Sequence, residues 1–538
     1  MTGNRPTRRI SSVTLATLLV LTLAVPMASA TDINESRGFR RAVTVEGIRQ
    51  HQLVLQGFAD TFGGNRVSGG TGGYDASAQY VYDTMTAAGY EVSFQEFIFP
   101  FNADRTPPVF QQVSPDQVTY VDGVDYSSMT YSPNGDVTGD LVAVDINFAA
   151  PLTSTSGCQA SDYVGFPAGK IALVQRGGCT FAIKSQMAAA AGAAATVVFN
   201  NQPGQLAGTL SAPQAHSTAI IGTLQAIGND LANGVANGAT GSTARVRVDR
   251  INENRPTRNV IAETPDGDPH NVVVVGAHLD SVTRGPGIND NGSGSAALLE
   301  IAEVYAAQGR ETRNKLRFMW FGAEEFGLLG SRHYVSTLSQ DQRDDIGLML
   351  NFDMVGSPNY VRFVYDGDNS MCETTPPATG CPGAIGPPGS AFIESVFVDY
   401  FNSQGQANEP TLFSGRSDYG PFIEAGIPAG GLFTGAEGIK TAAQAATYGG
   451  TAGAQYDPCY HLACDTFAGT GSGTGATSPG LAVKALDEMS DAIAHAVLTF
   501  SRTKVDVAQS ESATALRSSG SPAQLDFGPE ADENRLTE

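Results

Sequence analysis

Residues 271–278 read NVVVVGAH, a continuous apolar run that ends in a histidine. A run of this kind is typical of a strand buried on both faces of a parallel sheet. A Gly-rich loop follows, and then SAALLEIAEVYAAQG (295–309) has apolar residues at helical spacing. Those residues are Leu298, Ile301, Ala302 and Tyr305. The order of strand, loop and helix predicts one unit of an α/β sheet.

Further predicted strands and helices lie on both sides of this stretch. KLRFMWF (315–321) and GLMLNF (347–352) read as further strands, and an amphipathic helix is predicted near 481–502. Upstream, residues 47–90 have two helical patterns separated by a Gly-rich interruption, and EVSFQEFIF (91–99) reads as a strand. We therefore predict an α/β fold with a mixed central sheet flanked by helices.

Between about 135 and 250 the pattern changes to short strands, many turns and one Ala-rich helix. Within it, RGGCTFAIK (176–184) resembles the hallmark of the protease-associated (PA) domain, a small β-rich module inserted in several peptidases. The chain then divides into an α/β domain in two pieces, 31–134 and 251–502, with a PA-like insert at 135–250. A polar tail at 503–538 is expected to be disordered or removable.

The first thirty residues have the pattern of an export signal. Arg5, Arg8 and Arg9 precede an apolar stretch that ends in the small-residue site Ala28-Ser29-Ala30. A membrane anchor is disfavoured because Thr and Ser interrupt the apolar run. We therefore expect cleavage after Ala30 and a secreted protein without a membrane span.

Composition narrows the range of partners. Hydrophobic residues make up 41% of the 538 residues and charged residues 16%, which fits a folded globular protein. The net charge of −22 and the absence of basic runs argue against nucleic acid. The same charge favours cationic ligands, including the free ammonium group of a peptide.

The six cysteines fall into three pairs whose members are close along the chain. In an oxidising compartment an even number at such spacing indicates disulfides, although other pairings are open. A thiolate zinc site is disfavoured because the sequence has no C-x-x-C. The pairs by proximity are Cys158 with Cys179, Cys372 with Cys381, and Cys459 with Cys464.

Acids and histidines follow the predicted strands, at the edge where α/β sheets hold their ligands. They are His278 and Asp280 after the first strand, Asp290 in the Gly-rich loop, Glu324 and Glu325, Asp353, and His461. The sequence contains neither H-E-x-x-H nor G-x-S-x-G, so zincins and serine-elbow hydrolases are not indicated. Two Zn²⁺ ions suit a set of three carboxylates, Asp290, Glu325 and Asp353, and two imidazoles, His278 and His461. Glu324 is then left over as a base.

Several motifs together resemble the M28 metallopeptidases, specifically the secreted di-zinc aminopeptidases. They are AHLDSVTRGPGINDNGSGSAALLE, FGAEEFGLLGS, NFDMVGS, GRSDYGPF, IPAGGLFTGAEGIKT and CYHLACD. The resemblance implies two Zn²⁺ ions bridged by Asp290, one bound also by His278 and Asp353 and the other by Glu325 and His461. It further implies Glu324 as general base, Asp280 as the partner of His278 and Tyr460 as the oxyanion donor. A cis peptide after Asp290 is also expected.

The substrate implied is a peptide with a free N-terminus. Met354 and Phe433 are candidates for an apolar first-residue pocket, although either fits an ordinary core. A carboxypeptidase-like relative is the first alternative, and it needs a cation such as Arg416 or Arg284. A non-catalytic binding protein with a PA module and a single-zinc glutaminyl cyclase are the others, and both are disfavoured because no ligand is missing.

Overall fold

The computed structural model describes Met1 and residues 33–149, 154–202, 204–206, 208–373, 386–472 and 479–503. The predicted export signal after Met1, Cys381, and residues 504–538 of the predicted tail lie outside this set.

The helices are α1 (Ile33–Arg40), α2 (Val45–Thr61), α3 (Gly73–Ala87), α4 (Phe181–Ala190), α5 (Gln225–Ala232), α6 (Gly292–Ala307), α7 (Leu329–Thr337), α8 (Gln340–Asp344), α9 (Ser370–Glu373), α10 (Ser390–Ser403), α11 (Tyr419–Glu424), α12 (Ala442–Tyr448), α13 (Phe467–Ser472) and α14 (Pro479–Arg502). In the part of the chain that the structure describes, none of them combines the length and apolarity needed to cross a bilayer.

The strands are β1 (Glu91–Asp104), β2 (Val109–Ser114), β3 (Val118–Thr119), β4 (Tyr126–Ser128), β5 (Gly135–Ala143), β6 (Ile171–Gln175), β7 (Ala195–Phe199), β8 (Ala219–Thr223), β9 (Gly238–Val248), β10 (Arg250–Glu263), β11 (Asp268–His278), β12 (Asn314–Phe321), β13 (Ile346–Phe352), β14 (Phe363–Tyr365), β15 (Glu409–Thr411) and β16 (Ala429–Phe433). They form two eight-stranded sheets.

The first sheet has the order β1-β10-β12-β11-β13-β16-β14-β15, and its centre, β12-β11-β13-β16, is parallel. Strand β11 contains the valine run and lies between β12 and β13, which explains why that run is apolar on both faces. The predicted mixed α/β sheet is confirmed. Because the central strands are parallel, their carboxyl ends meet at one edge.

Helices cover both faces of this sheet. Val273 and Val275 pack in a large core with α1, α2, α3, α6, α10 and α14, whereas Val272 and Val274 pack with α7 and α11 on the opposite side. Alternate residues of one strand thus enter different cores, as the twofold strand periodicity requires. This burial fixes the position of the strand ends that carry the polar residues.

The second sheet has the order β3-β2-β9-β5-β6-β7-β8-β4 and two hydrophobic cores of its own. It begins at Val109, upstream of the predicted start at 135, because β2, β3 and β4 pair in it. These strands are short, and β2 and β3 are largely exposed or half-buried, so their sequence carries little periodic signal. The chain leaves the first sheet after Asp104 and returns at its paired neighbour Arg250, and the segment between them, residues 105–249, is called the insert from here on.

Candidate active site

The predicted acids and histidines converge at the carboxyl edge of the first sheet. His278 ends β11, and Asp353 directly follows β13. The His278 Nε2 atom lies 3.3 Å from Asp353 Oδ1 and 3.2 Å from Asp290 Oδ1. Asp290 reaches this position from the loop that leads into α6. Three residues distant in the sequence thus form one group.

A second group lies on the other side of Asp290. The His461 Nε2 atom lies 3.2 Å from Asp290 Oδ2 and 3.1 Å from Glu325 Oε2. Asp290 therefore directs one carboxylate oxygen to each group. This is the arrangement expected of a carboxylate that bridges two cations.

The distances fit a metal pair better than hydrogen bonding alone. Two ligand atoms about 2.1 Å from one tetrahedral Zn²⁺ ion lie about 3.4 Å apart, close to the separations observed. The His278 Nε2 atom carries at most one hydrogen, yet two carboxylates surround it. Buried Glu325 Oε1 and Asp353 Oδ1 have no hydrogen-bond partner among the described residues. The donor set therefore suits two divalent ions.

Glu324 stands beside this centre. Its carboxylate lies 3.9 Å from His278 Nε2, and its side chain is buried. Burial raises the pKa of Glu324 well above its ordinary value, and the neighbouring Asp353 and Glu325 raise it further against the opposing effect of His278. A carboxylate with a raised pKa is better suited to accept and return a proton.

Asp280 contacts both His278 and Glu324. The His278 Nδ1 atom lies 3.2 Å from the backbone carbonyl oxygen of Asp280 and 3.7 Å from its carboxylate oxygen Oδ1. The same Oδ1 atom accepts the backbone N–H of Glu324 at 3.1 Å. Asp280 thus stands beside His278 with both its main chain and its side chain, and it also holds the backbone of Glu324.

Tyr460 and Arg416 form one unit at the rim. Arg416 donates to the Tyr460 hydroxyl at 3.0 Å and pairs with Glu437 at 2.6 Å. The Tyr460 ring stacks on His461 with centroids 3.8 Å apart. Burial raises the pKa of Tyr460 well above its ordinary value, so the phenol keeps its proton. Because this hydroxyl accepts from Arg416, its own O–H can donate elsewhere.

The two predicted apolar contacts differ in exposure. Met354 is nearly fully buried and its backbone accepts the N–H of Thr434. Phe433 is half-buried at the end of β16, where the register of β13 and β16 places it level with Asp353. It stacks against Phe363. Phe433 is therefore the better placed of the two to meet a substrate.

In the remaining site residues, burial and neighbouring charged groups shift the pKa in opposite directions. Burial lowers the pKa of His278, but Asp353 and Glu324 outweigh it and hold the value well above the ordinary one. Burial raises the pKa of Asp290, whereas hydrogen bonds from His278 and His461 bring the net value well below normal. Burial raises the pKa of Glu325 to about 7. The site thus concentrates acids that cation binding would keep ionised.

Two acids that the sequence analysis left without a role hold the bridging loop. Asp465 accepts the backbone N–H groups of Asn289 at 2.7 Å and Asp290 at 3.0 Å. Asp457 accepts from the Asn289 amide at 2.6 Å. Both flank the short loop that carries His461, so they connect the two metal-ligand loops. Asp465 is the last residue of CYHLACD, and that position was the only sequence signal.

Arg66 is a third residue that sequence reasoning missed. It comes from the Gly-rich interruption between α2 and α3 and is fully buried. Its guanidinium donates to the carbonyl oxygens of Leu279, Pro286 (2.9 Å) and Gly287 (2.6 Å). Burial lowers the pKa of Arg66 to about 10, while nearby Asp280 opposes the change. Arg66 therefore fixes both ends of the loop before Asp290.

The local backbone agrees with two further expectations. The Asp290–Asn291 peptide is cis. Disulfides join Cys158 to Cys179 and Cys459 to Cys464, with Cα atoms 5.8 and 5.3 Å apart. The second one closes the loop that bears His461. The predicted pairing of Cys372 with Cys381 involves a residue outside the described set.

Comparisons with known proteins agree with this geometry. The model of peptidase family M28 matches residues 259–497, and that of the PA domain matches 137–234. An aminopeptidase of Pseudomonas aeruginosa is 45% identical over 437 residues, covering 80% of this chain and 78% of the relative. Leucine aminopeptidase 2 of Arthroderma otae is 43% identical over 405 residues, 75% of each chain.

A solved aminopeptidase from Aneurinibacillus sp. strain AM-1 superposes with a TM-score of 0.64 at 27% identity, covering 87% of this chain and 96% of that one. The fold, the site and these relatives define a peptide-bond hydrolase of the exopeptidase class. The chain belongs to peptidase family M28, carries an inserted PA domain, and has the activity of an aminopeptidase.

Proposed function

We propose that the protein is a secreted di-zinc aminopeptidase that removes apolar residues from the N-terminus of peptides. The observation that carries the proposal is the position of Asp290, whose two oxygens each face a different histidine and acid. His278 and Asp353 would hold one Zn²⁺ ion with Asp290, and Glu325 and His461 the other. When bound, the ions would polarise the scissile carbonyl and lower the pKa of the attacking water.

The protein's own groups would move the proton. Glu324 is buried beside His278 and its backbone is held by Asp280, so its carboxylate is fixed near the reacting atoms. It would accept the proton of the attacking water and return it to the leaving amine, a role typically worth about 10²–10⁴-fold in rate. The Tyr460 O–H, oriented by Arg416, would donate to the carbonyl oxygen as negative charge develops there.

Substrate orientation follows from the distribution of charge. The buried acids around His278 would attract the free ammonium group of a peptide. Phe433, half-buried at the same sheet edge, would contact an apolar first side chain. Of the two cations considered for a carboxypeptidase, Arg416 is already paired with Glu437 and bonded to Tyr460, and Arg284 faces Asp122. An aminopeptidase therefore fits the site better than a carboxypeptidase.

Export is proposed from the sequence of residues 1–30. A basic start, an apolar stretch and the Ala28-Ser29-Ala30 site are the three parts of a cleaved signal. N-terminal sequencing of protein recovered from the culture medium should begin at Thr31. Protein that stays in the cells with residues 1–30 attached would contradict this part of the proposal.

The main test is a panel of amino-acid anilides with and without a chelator, together with metal analysis. We expect two zinc ions per chain, hydrolysis of leucine anilide, and loss of activity on chelation that zinc restores. An N-blocked leucine anilide is the matched control and should resist cleavage. Cleavage of the blocked substrate, or full activity of the metal-free protein, would contradict the proposal.

A further inference from the structure

A cleft of about 420 Å³ lies between the catalytic sheet and the insert. Its walls include Glu325, Tyr460 and His461 on one side and Tyr131 and Thr209 of the insert on the other. The insert therefore shares a cavity with the proposed catalytic residues. A volume of this size is typical of pockets that hold small ligands.

Two arginines line this cleft, and one of them has a structural role. Arg250 is nearly buried and donates to Asp104 at 3.0 Å, Ser128 at 2.6 Å and Asn102 at 3.0 Å. These bonds tie the point where the chain returns from the insert to both β1 and β4. Arg250 is thus committed to joining the two sheets.

Arg284 is the more accessible cation. Its side chain is 40% exposed, and its Nη2 atom lies 3.3 Å from both carboxylate oxygens of Asp122. This separation is long for a charge-assisted hydrogen bond, which is usually about 2.7–2.9 Å. Asp122 belongs to the insert and precedes Gly123 in the cleft wall, so the contact joins the insert to the loop that bears Arg284.

The backbone of Arg284 is fixed beside the loop that carries His461. The next residue, Gly285, approaches the Leu462 carbonyl so closely that a Cβ there would lie 2.3 Å from the oxygen. A side chain at this position would push the two loops apart. Arg284 is therefore held next to the proposed metal-ligand loop while its guanidinium faces the cleft.

We propose that Arg284 receives the C-terminal carboxylate of short peptide substrates, so that the enzyme prefers short free peptides to their amides and to longer chains. The inference rests on the proposed function, which places the substrate ammonium group at the acids near His278. A planar guanidinium matches a carboxylate in two parallel hydrogen bonds. The cleft that Arg284 lines also contains Glu325, Tyr460 and His461 of the proposed catalytic site, so a short peptide that begins at the site would extend along the same cleft.

Asp122 competes with the substrate for the same guanidinium. Both are carboxylates, and Asp122 is tethered in position by the insert. Removing its charge should therefore strengthen recognition of a substrate carboxylate. The pair gives two variants with opposite expected effects.

The experiment compares kcat/KM for Leu-Gly, Leu-Gly-Gly and a longer Leu-Gly peptide, each as the free acid and as the C-terminal amide. We expect the wild-type enzyme to favour the acid about tenfold or more at one short length, the size of a charge-assisted hydrogen bond. The preference should vanish in the longer peptide. Arg284→Gln should bring the acid-to-amide ratio to about one, and Asp122→Asn should raise it.

Arg245→Gln is the matched control, because Arg245 forms an exposed ion pair with Asp136 of the insert outside the cleft. Its acid-to-amide ratio should equal that of the wild type. An equal rate for acids and amides at every length, or a preference that survives Arg284→Gln, overturns the role of Arg284 while leucine release still supports the proposed function. If leucine is released from none of these peptides, both proposals are wrong.

Discussion

The two sheets of the molecule both contain parallel strands, yet their strand ends carry different chemistry. In the catalytic sheet, β11 ends at His278 and β13 is followed by Asp353. In the insert, β6 ends at Gln175, β7 is followed by Asn200, and β8 ends at Thr223. The first set consists of ionisable groups and the second of neutral ones.

The polar side chains at these strand ends of the insert have hydrogen-bond partners within the insert. Gln175 accepts the backbone N–H of Asn147 at 3.1 Å, and the Asn200 amide donates to a nearby carbonyl. Thr223 donates to the carbonyl oxygen of Asp125 at 2.8 Å. These bonds connect strand ends to loops of the same insert, as expected of groups that stabilise a fold.

The catalytic sheet leaves buried acid oxygens without partners. Asp280, Glu325 and Asp353 each have such an oxygen among the described residues. A buried charge without a partner is costly, so it persists where a cation or substrate compensates it. Both sheets have an edge where parallel strands end, but in the part of the chain that the structure describes only the catalytic sheet has buried, unpartnered acids there. Topology alone therefore does not turn such an edge into an active site.

The largest expected effect tests the chemistry of the catalytic edge. Glu324→Gln should lower kcat on leucine anilide by about 10²–10⁴-fold because an amide cannot accept the proton of the attacking water. Metal analysis should still find zinc in this variant. Glu325→Gln is the matched comparison and should lower the affinity for zinc, since Glu325 faces His461. Loss of zinc from Glu324→Gln, with retention in Glu325→Gln, would mean that the two roles are exchanged.

The second prediction concerns the pH range over which the stability of the catalytic domain depends on His495. Burial and then Arg40 lower the pKa of His495 on α14 to about 4 from 6.5. The unfolded chain therefore binds the additional proton between about pH 4 and 6.5, and stability falls as the pH falls through this window. Complete protonation corresponds to at most about 3 kcal/mol. Urea unfolding at pH 4.5 and 7 should show a smaller difference for His495→Gln than for the wild type.

The insert contains a corresponding buried base, Lys184, which affects stability over a different pH range. Burial lowers the pKa of Lys184 to about 8 from 10.5, and its ammonium donates to the Ser156 carbonyl. Stability of the insert should therefore rise with pH between about 8 and 10.5. Lys184→Met should remove this rise without changing leucine anilide hydrolysis. A loss of hydrolysis in a folded Lys184→Met protein would break the division between the two regions.

A smaller effect is expected from the clamp on the bridging loop. Asp465→Asn replaces one acceptor oxygen by an N–H₂ group, which cannot accept from Asn289 or Asp290. Groups that orient metal ligands typically contribute about 10–100-fold to metal affinity or activity. Competition with a chelator should show weaker zinc binding, whereas Asp136→Asn on the insert should match the wild type. Unchanged zinc affinity in Asp465→Asn would assign Asp465 a role in folding alone.

Sequence reasoning predicted the catalytic sheet well because its signals are local. The valine run before His278 and the motifs after β12 and β13 mark strand ends directly, and parallel strands bring their ends together. The strands of the second sheet that precede residue 135 were not predicted. Strands β2, β3 and β4 are short, so only their pairing shows that they belong to the second sheet.

The contacts that the sequence could not predict are those between distant segments. Arg66 precedes the loop that it fixes by more than two hundred residues, and its bonds go to backbone carbonyls that have no sequence signature. The carboxylate of Asp280 was expected near His278, and it lies 3.7 Å from His278 Nδ1. Its further bond to the backbone N–H of Glu324 was not predicted, because the two residues are more than forty positions apart.

The smallest effect is expected from removing the insert while leaving the catalytic edge intact. Residues Asp104 and Arg250 are directly paired across β1 and β10, so a two-residue Asn-Gly turn can replace residues 105–249. The insert has hydrophobic cores separate from those of the catalytic sheet, and every proposed zinc ligand lies outside it. Its removal should change kcat/KM for leucine anilide by no more than about threefold, less than 1 kcal/mol.

The same variant should alter the response to peptide length, because it removes Asp122 and one wall of the cleft beside Arg284. Long peptides should gain relative to the anilide, since their chain no longer meets the wall formed by Tyr131 and Thr209. Zinc content and circular dichroism provide the control for folding. A folded variant that binds two zinc ions but fails to cleave leucine anilide would show that the insert takes part in catalysis, and the contrast between the two sheets would then be wrong.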